Sequence, residues 1–440
     1  MLPSGFRDLE PRLARVYEHV VDTLRNVFRK YGFEPLYTPH LEYWDVLKGK
    51  YGEEAESLLI WRFEDIWSGE WYALRYDHTV PLARHVASKK YTLPFKRYTI
   101  GNVFRHERPQ RGRFREFLQA DIDIVGSPYP EADAEILNVV VESMESLGFR
   151  DYIVKISDRR ILSGVLRYDF GVKNEIPIFR IIDKLDKIGL EGVKKELLER
   201  MDRKAVEKLV DIVNIKKPID GALAELNDRF ENPISQEGIH HLEEIEPFLS
   251  PLAKRRVILS LELARGLDYY TGPIWEVIVE NAGVGSVGGG GRYDNLIGIY
   301  SKEQIPATGS SFGVDRIVEV GLQKEVFRIN VSSTKVFVVA IDREVFREAW
   351  SFAQTLRNAG IPTEVDLMRR KLSKQREYAK KRDIPILVFI GKKEVKEKKV
   401  TIYTQGIRLE IDLKDALDKI KELIEKTIEV PTNFSLEQRR

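Results

Sequence analysis

From Leu118 to Ile124 apolar and polar residues alternate without a break, and no other stretch restricts the surrounding chain so tightly. A strand sends alternate side chains to opposite faces. Leu118, Ala120, Ile122 and Ile124 therefore share one face, and Gln119, Asp121 and Asp123 share the other. The pattern predicts a sheet with one fully apolar side. Its polar side either lines a cavity for something cationic or amine-bearing, or faces water as a one-sided antiparallel sheet does. Just upstream, Arg105, Arg108, Arg111, Arg113 and Arg115 crowd a loop between two strand-like segments. Planar guanidinium groups suit phosphate oxygens better than other side chains do. Pro109 and Gly112 shape this loop, which is too long for a two-residue hairpin. Together the two features point to a polyphosphate and an amino group held side by side.

What the rest of the chain lacks narrows the chemistry. No cysteine occurs among the 440 residues, which excludes disulfides, thiolate metal sites and a cysteine nucleophile. The start, MLPSGFRDLEPRLAR, has no apolar run, and no later segment approaches the roughly 20 apolar residues of a membrane-spanning helix. A cytoplasmic protein is expected. The net charge is only +2, so any nucleic-acid surface has to come from local patches. Gly283, Gly285 and Gly288 satisfy the spacing of a dinucleotide fingerprint, but three more glycines follow directly. A fingerprint must open a helix, so a flexible antiparallel connection is expected instead, with backbone free to approach a ligand at Gly289 to Asp294. No lysine and hydroxyl pair follows the glycines, which removes the phosphate loop of the NTPases.

Taken in order, Leu13 to Tyr31 carries apolar residues at three- and four-residue intervals, with Pro11 at the start and Gly32 past the end, predicting an amphipathic helix. Glu131 to Leu147 predicts another helix and Tyr152 to Ser157 a strand. A run of helices is expected from Lys184 to about Leu263, with Asp202 capping one and Ser235 opening another. Trp275 to Val279 reads as a strand. Beyond a polar stretch at Val331 to Thr334, strands are expected at Val336 to Ile341, Thr363 to Val365, Ile384 to Ile390 and Val400 to Tyr403. Helices near Glu344 to Asn358 and Lys371 to Arg382 separate them, which makes a small α/β domain. From Arg369 to Lys399 there are 13 Lys or Arg against 4 Asp or Glu, a concentration that suits a polyanion.

Three stretches carry a resemblance. FRHERPQRGRFREF, Phe104 to Phe117, resembles the second signature motif of class II aminoacyl-tRNA synthetases in its histidyl form. ARGLDYYTG, Ala264 to Gly272, and GGGRYDNL, Gly289 to Leu296, resemble the two histidine-specific signatures of that family. Gly32 to Glu42 is similar to the first class II motif and Thr308 to Leu322 to the third. Phe179 to Leu197 resembles the insertion of archaeal and eukaryotic-like histidyl enzymes, a helical module over the tRNA acceptor stem.

The resemblance implies an α+β class II catalytic domain at 1–325, an antiparallel sheet with helices and a helical insertion at about 184–250. It further implies a linker at 326–334, an α/β anticodon-binding domain at 335–428 and a tail at 429–440. The implied activity is histidine-tRNA ligation in two steps: L-histidine and ATP give the adenylate, which is transferred to the 3′ end of tRNA(His). Arg105 and Arg265 are then catalytic, and Arg105, Glu107, Arg113 and Arg316 bind ATP. Asp77, Thr79, Gln119, Asp123, Arg265, Tyr269 and Tyr270 bind histidine. His78 stands where the family pattern has leucine, and Asp121 has the right face but no assigned role. Mg²⁺ accompanies ATP as substrate, with no zinc and no organic cofactor. A homodimer is implied by the first motif, whose helix and strand form the family's dimer interface. A rival of another class is the synthetase-like regulatory subunit of ATP phosphoribosyltransferase in histidine biosynthesis, which shares the catalytic fold. It typically lacks the C-terminal domain and degrades the RGLDYYTG motif.

Overall fold

The computed structural model describes residues 1–426 except 52–54, 109–112, 264–268 and 328–331. The chain divides into two compact units, one formed by Met1–Leu9 with Tyr17–Val326 and the other by Glu10–Val16 with the chain from Phe327 onward.

The larger unit is built on a nine-stranded sheet. Its central strands run in the order Phe95–Phe104, Glu116–Val125, Ala307–Gly313, Gly288–Arg292, Pro273–Val279, Tyr152–Asp158, each antiparallel to the next. The alternating segment is the strand Glu116–Val125, the floor strand below. Its apolar set is packed, with Ala120 and Ile122 fully buried and Ile124 nearly so. On that side the helix Pro11–Lys30 lays Phe28 against Phe312 and Tyr98, ring centroids 6.0 and 5.9 Å apart. On the opposite side Asp121 and Asp123 are only 3% and 2% exposed. Both faces are therefore covered, and the reading of a one-sided sheet facing water fails.

The glycine run departs from the expected flexible connection. Gly288–Arg292 is an inner strand, paired on both edges. A methyl group on Gly290 would lie 2.0 Å from the Gly309 carbonyl, and one on Gly291 would lie 2.6 Å from that of Pro273. The neighbouring backbones close over these positions, so only glycine fits. The glycines serve strand packing first, and they leave part of the polar face as bare backbone.

The helical run begins at Ile176–Ile182 and continues through Leu185–Leu198, Arg203–Val213, Ile219–Arg229, Pro233–Ile245 and Pro251–Arg256. Two short strands within it were not expected. Lys216–Pro218 pairs with Val257–Ser260, which joins Tyr152–Asp158 in parallel and extends the main sheet. Asp202 caps its helix by accepting from the Lys204 and Ala205 amides. The Pro233–Ile245 helix is capped by Asn232, not opened by Ser235, whose own amide donates to the Asn232 side chain.

The smaller unit has a five-stranded sheet in which Val336–Ala340 lies between Thr363–Val365 and Ile386–Ile390, parallel to both. Helices Phe346–Asn358 and Leu372–Lys381 match the expected positions. The strand Ile407–Asp412 and the helix Ala416–Lys426 were not read from the sequence.

Candidate active site

The register of the central strands assembles the polar face. Asp123 lies opposite Arg97 on one side and Gly309 on the other, and Asp121 lies opposite Thr99 and Ser311. A methyl group on Gly309 would sit 2.2 Å from Asp123 Oδ1, so the carboxylate occupies space that the glycine leaves. Arg97, 1% exposed, pairs through Nη2 with Asp123 Oδ2 at 2.8 Å. The Tyr293 hydroxyl donates to Asp123 Oδ1, and the Ser311 hydroxyl donates to Asp121 Oδ1 at 2.6 Å.

Asp77 adds a third buried carboxylate. It sits just before the helix Thr79–Ala87, and its Oδ1 accepts from the Thr79 and Val80 amides at 3.1 and 3.0 Å and from the Tyr51 hydroxyl at 3.0 Å. Its Oδ2 accepts from the Tyr269 hydroxyl at 3.3 Å. Tyr269 and Tyr270 pack edge to face, centroids 5.0 Å apart. Tyr270 is close enough to feel all three carboxylates, and its hydroxyl is pushed up, first by burial and then by Asp77, Asp123 and Asp121. His78, in place of leucine, points into the protein: it is 1% exposed and its Nε2 lies 3.1 Å from the Gly101 carbonyl.

Burial raises the carboxyl groups of Asp77, Asp121 and Asp123 above their ordinary range, Asp121 to about 7. Arg97 opposes the shift in Asp121 and Asp123, and Arg105 opposes it in Asp77. The Gln119 side-chain oxygen is buried beside them with no hydrogen-bond partner among the described residues. Three carboxylates and an unpaired amide oxygen form a patch that accepts hydrogen bonds and favours positive charge.

At the end of the floor strand the balance reverses. Arg105 lies over the rings of Tyr76 and Phe117 at 4.3 and 5.1 Å, its Nε 3.4 Å from the Tyr76 carbonyl. Arg316, in the first turn of the helix Val314–Gln323, donates to the Ser286 carbonyl at 2.6 Å. Its guanidinium is depressed by burial and then by the nearby charges of Arg113 and Arg105, while Glu107 and Glu276 oppose this. Arg113 faces Glu107 at 3.4 Å and remains 41% exposed. Three arginines that repel one another, with only Glu107 and Glu276 to oppose them among the groups acting on Arg316, make a site for a multiply charged anion. The structure thus gathers Asp77, Thr79, Gln119, Asp123, Tyr269 and Tyr270 in one group and Arg105, Glu107, Arg113 and Arg316 in another. Arg265 lies outside the described residues.

Sequence reasoning missed Arg97, Tyr51, Tyr293 and Ser311 as supports of the carboxylates. Arg97 alone left a signal, since an arginine alternating with Thr99 and Gly101 in a strand must face something charged when buried.

Comparison with known proteins gives this geometry its context. A family model described as histidyl-tRNA synthetase matches residues 5–317. The chain belongs to the histidyl-tRNA synthetase family. A second model, for an anticodon-binding domain, matches residues 335–423. A curated histidine–tRNA ligase of Aeropyrum pernix is 47% identical, with 96% of this chain and 98% of that protein covered. One from Korarchaeum cryptofilum is 45% identical, with 96% and 99% covered. The crystal structure of histidyl-tRNA synthetase from Nostoc sp. PCC 7120 superposes with a TM-score of 0.85 at 30% identity, covering 96% of this chain and 99% of that one. As a histidyl-tRNA synthetase family member with a matched anticodon-binding region, the chain is an aminoacyl-tRNA synthetase, and the regulatory-subunit alternative is not favoured.

Proposed function

We propose that the carboxylate group holds L-histidine and the arginine group holds ATP, so that the chain activates histidine and transfers it to tRNA(His). The observation that carries this reading is the pairing of a cation-favouring patch, with the unpaired Gln119 oxygen at its edge, and an arginine cluster that lacks enough carboxylate to balance it.

Within this reading Asp77, Thr79 and Gln119 receive the α-amino group. Asp123 and Tyr270 meet the imidazole, Tyr269 walls the pocket, and Asp121 adds negative charge to its floor. Each carboxylate oxygen of Asp123 has a further lone pair beyond those used by Arg97 and Tyr293, so it can still accept from a ligand. Arg105 binds the α-phosphate, Arg113 the β- and γ-phosphates with Glu107 beside it, and Arg316 the γ-phosphate. Arg265 neutralises charge growing on the α-phosphoryl oxygens. A histidine carboxylate oxygen attacks the α-phosphorus and the bond to pyrophosphate breaks. The terminal ribose hydroxyl of tRNA then attacks the activated carbonyl and AMP leaves. Neither step needs a covalent enzyme intermediate, and catalysis is positioning plus electrostatic stabilisation. ATP enters with Mg²⁺ on its phosphate oxygens.

The same reading assigns 1–325 to catalysis, 326–334 to a linker, 335–428 to anticodon binding and 429–440 to a tail, in a cytoplasmic homodimer. No helix among the described residues is long and apolar enough to cross a membrane. Pyrophosphate exchange with each of the twenty amino acids tests the reading. Exchange dependent on histidine alone is expected. Exchange with another amino acid would reassign the pocket, and none at all would revive the regulatory role.

A further inference from the structure

Behind the segment Tyr270–Gly272 lies a chain of charged groups that the proposed chemistry does not use. Asp133, fully buried near the start of the helix Pro130–Ser146, takes three donors on one oxygen. Arg292 reaches Oδ2 through Nε at 3.0 Å and Nη2 at 2.7 Å, and His241 Nε2 reaches it at 3.1 Å. The other ring nitrogen, His241 Nδ1, lies 2.9 Å from Arg160 Nη2. Arginine only donates, so Nδ1 accepts and Nε2 carries the proton that goes to Asp133. Arg160 is itself fixed by Asp158 at 2.6 Å and by Glu237 at 2.7 Å. Glu237 and His241, four residues apart, present one face of the helix Pro233–Ile245 to this arginine.

At its far end the chain of contacts reaches the histidine signature. The Thr271 amide donates to the Arg292 carbonyl at 2.8 Å, its hydroxyl lies 3.4 Å from the same oxygen, and it accepts from the Asp294 amide at 3.0 Å. Beyond these ties the segment is not packed all round by protein. Tyr270 and Thr271 also line an open pocket of about 380 Å³ with Arg159, Arg160, Ser163 and Arg167. Thr271 thus ties the residue next to Tyr270 to the Arg292 backbone carbonyl, while the Tyr270 ring itself rests on Tyr269.

We propose that His241 is a positioning residue for histidine recognition, linking the helix Pro233–Ile245 through Asp133 and Arg292 to Thr271 and so fixing Tyr270 over the carboxylate group. The link is one of geometry, with no proton moved during reaction. The inference rests on the reading that this group binds histidine. Tyr270→Phe provides the separate check: if it leaves the KM for histidine unchanged, the assignment of Tyr270 fails whatever His241 does.

The test is pyrophosphate exchange on the full-length protein with His241→Leu, His241→Gln and Thr271→Val. Leucine fills the space without hydrogen bonds, whereas a glutamine amide accepts from Arg160 and donates to Asp133. Residues in one hydrogen-bonded network show coupling of roughly twofold to a hundredfold. On that scale His241→Leu should raise the KM for histidine while the KM for ATP and kcat stay within about twofold, and His241→Gln should recover most of the loss. Thr271→Val, at the opposite end, should give the same split, with a double variant weaker than the product of the singles. If His241→Leu does not fold by thermal melting, the glutamine and valine variants decide. Unchanged KM for histidine, equal changes for histidine and ATP, no rescue by glutamine, or fully multiplicative effects would each overturn the proposal.

Discussion

Replacing Asp123 by asparagine separates what this carboxylate does for the fold from what it does for recognition. The pair with Arg97 has side chains 4% and 2% exposed. Removing one partner of such a pair typically costs about 3–5 kcal/mol, because the other charge stays buried and uncompensated. An amide offsets part of this, since its oxygen can accept from Arg97 while its NH₂ faces the Tyr293 oxygen. A loss of about 3 kcal/mol is therefore expected, roughly two powers of ten in the folding equilibrium. For a unit of this size, at roughly 2 °C per kcal/mol, that corresponds to a melting shift of about 6 °C. Burial raises the Asp123 carboxyl, so the comparison belongs near pH 8, where more of it is ionised. Recognition should suffer separately: losing a hydrogen bond to a charged acceptor costs about 1.5–3 kcal/mol, or roughly ten- to a hundredfold in the KM for histidine. Selectivity against analogues lacking a ring N–H should fall with it. Calorimetry and pyrophosphate exchange on the same preparation check both halves. A melting shift under 1 °C would refute the buried-pair argument, and an unchanged KM with unchanged selectivity would show the carboxylate to be structural only.

Further outcomes follow from neighbouring geometry. Gly309→Ala should nearly abolish histidine activation while ATP binding persists, because the added methyl would lie 2.2 Å from Asp123 Oδ1; near-parental exchange would mean that Asp123 moves without consequence. Asp121 titrates at about 7, raised by burial, so lowering the pH through 7 should protonate it and weaken binding of a cationic ligand. The KM for histidine should rise on that side, and Asp121→Asn should flatten this component; a profile identical to the parent's would remove Asp121 from the site. Arg265→Ala should cut single-turnover activation by on the order of 10²- to 10³-fold with histidine affinity retained, and equal rates would withdraw its role. Residues 1–332 alone should keep histidine activation yet lose most tRNA charging and its salt dependence; charging at parental efficiency would show that the C-terminal unit is not the anchor.

Where side chains alternate or recur, the sequence was readable. The floor strand, the helix Pro11–Lys30 and the first strands and helices of the smaller unit all declare themselves through periodicity. The glycine strand carries no side chains to form a pattern, so it passed for a loop, and strands as short as Lys216–Pro218 vanish inside a helical run. Of the site, the residues held within one motif were legible. The supports were not, because Arg97 meets Asp123 only through strand pairing and Tyr293 meets it across 170 positions of chain. Tyr51 gave no local signal of its contact with Asp77.

A strand of consecutive glycines has no inside or outside, so sliding it along its neighbours would turn no side chain the wrong way. Slippage is opposed by the close backbones at Gly290 and Gly291, which admit no side chain, and at the strand's end, where Arg292 is locked to Asp133 and Tyr293 to Asp123. A shift of two residues, roughly 7 Å, would tear both away at once. Arg292 and Tyr293 thus act as a ratchet pawl for the centre of the sheet. Chains weakened at either position should trap misaligned forms on refolding, inactive yet rich in native-like strand.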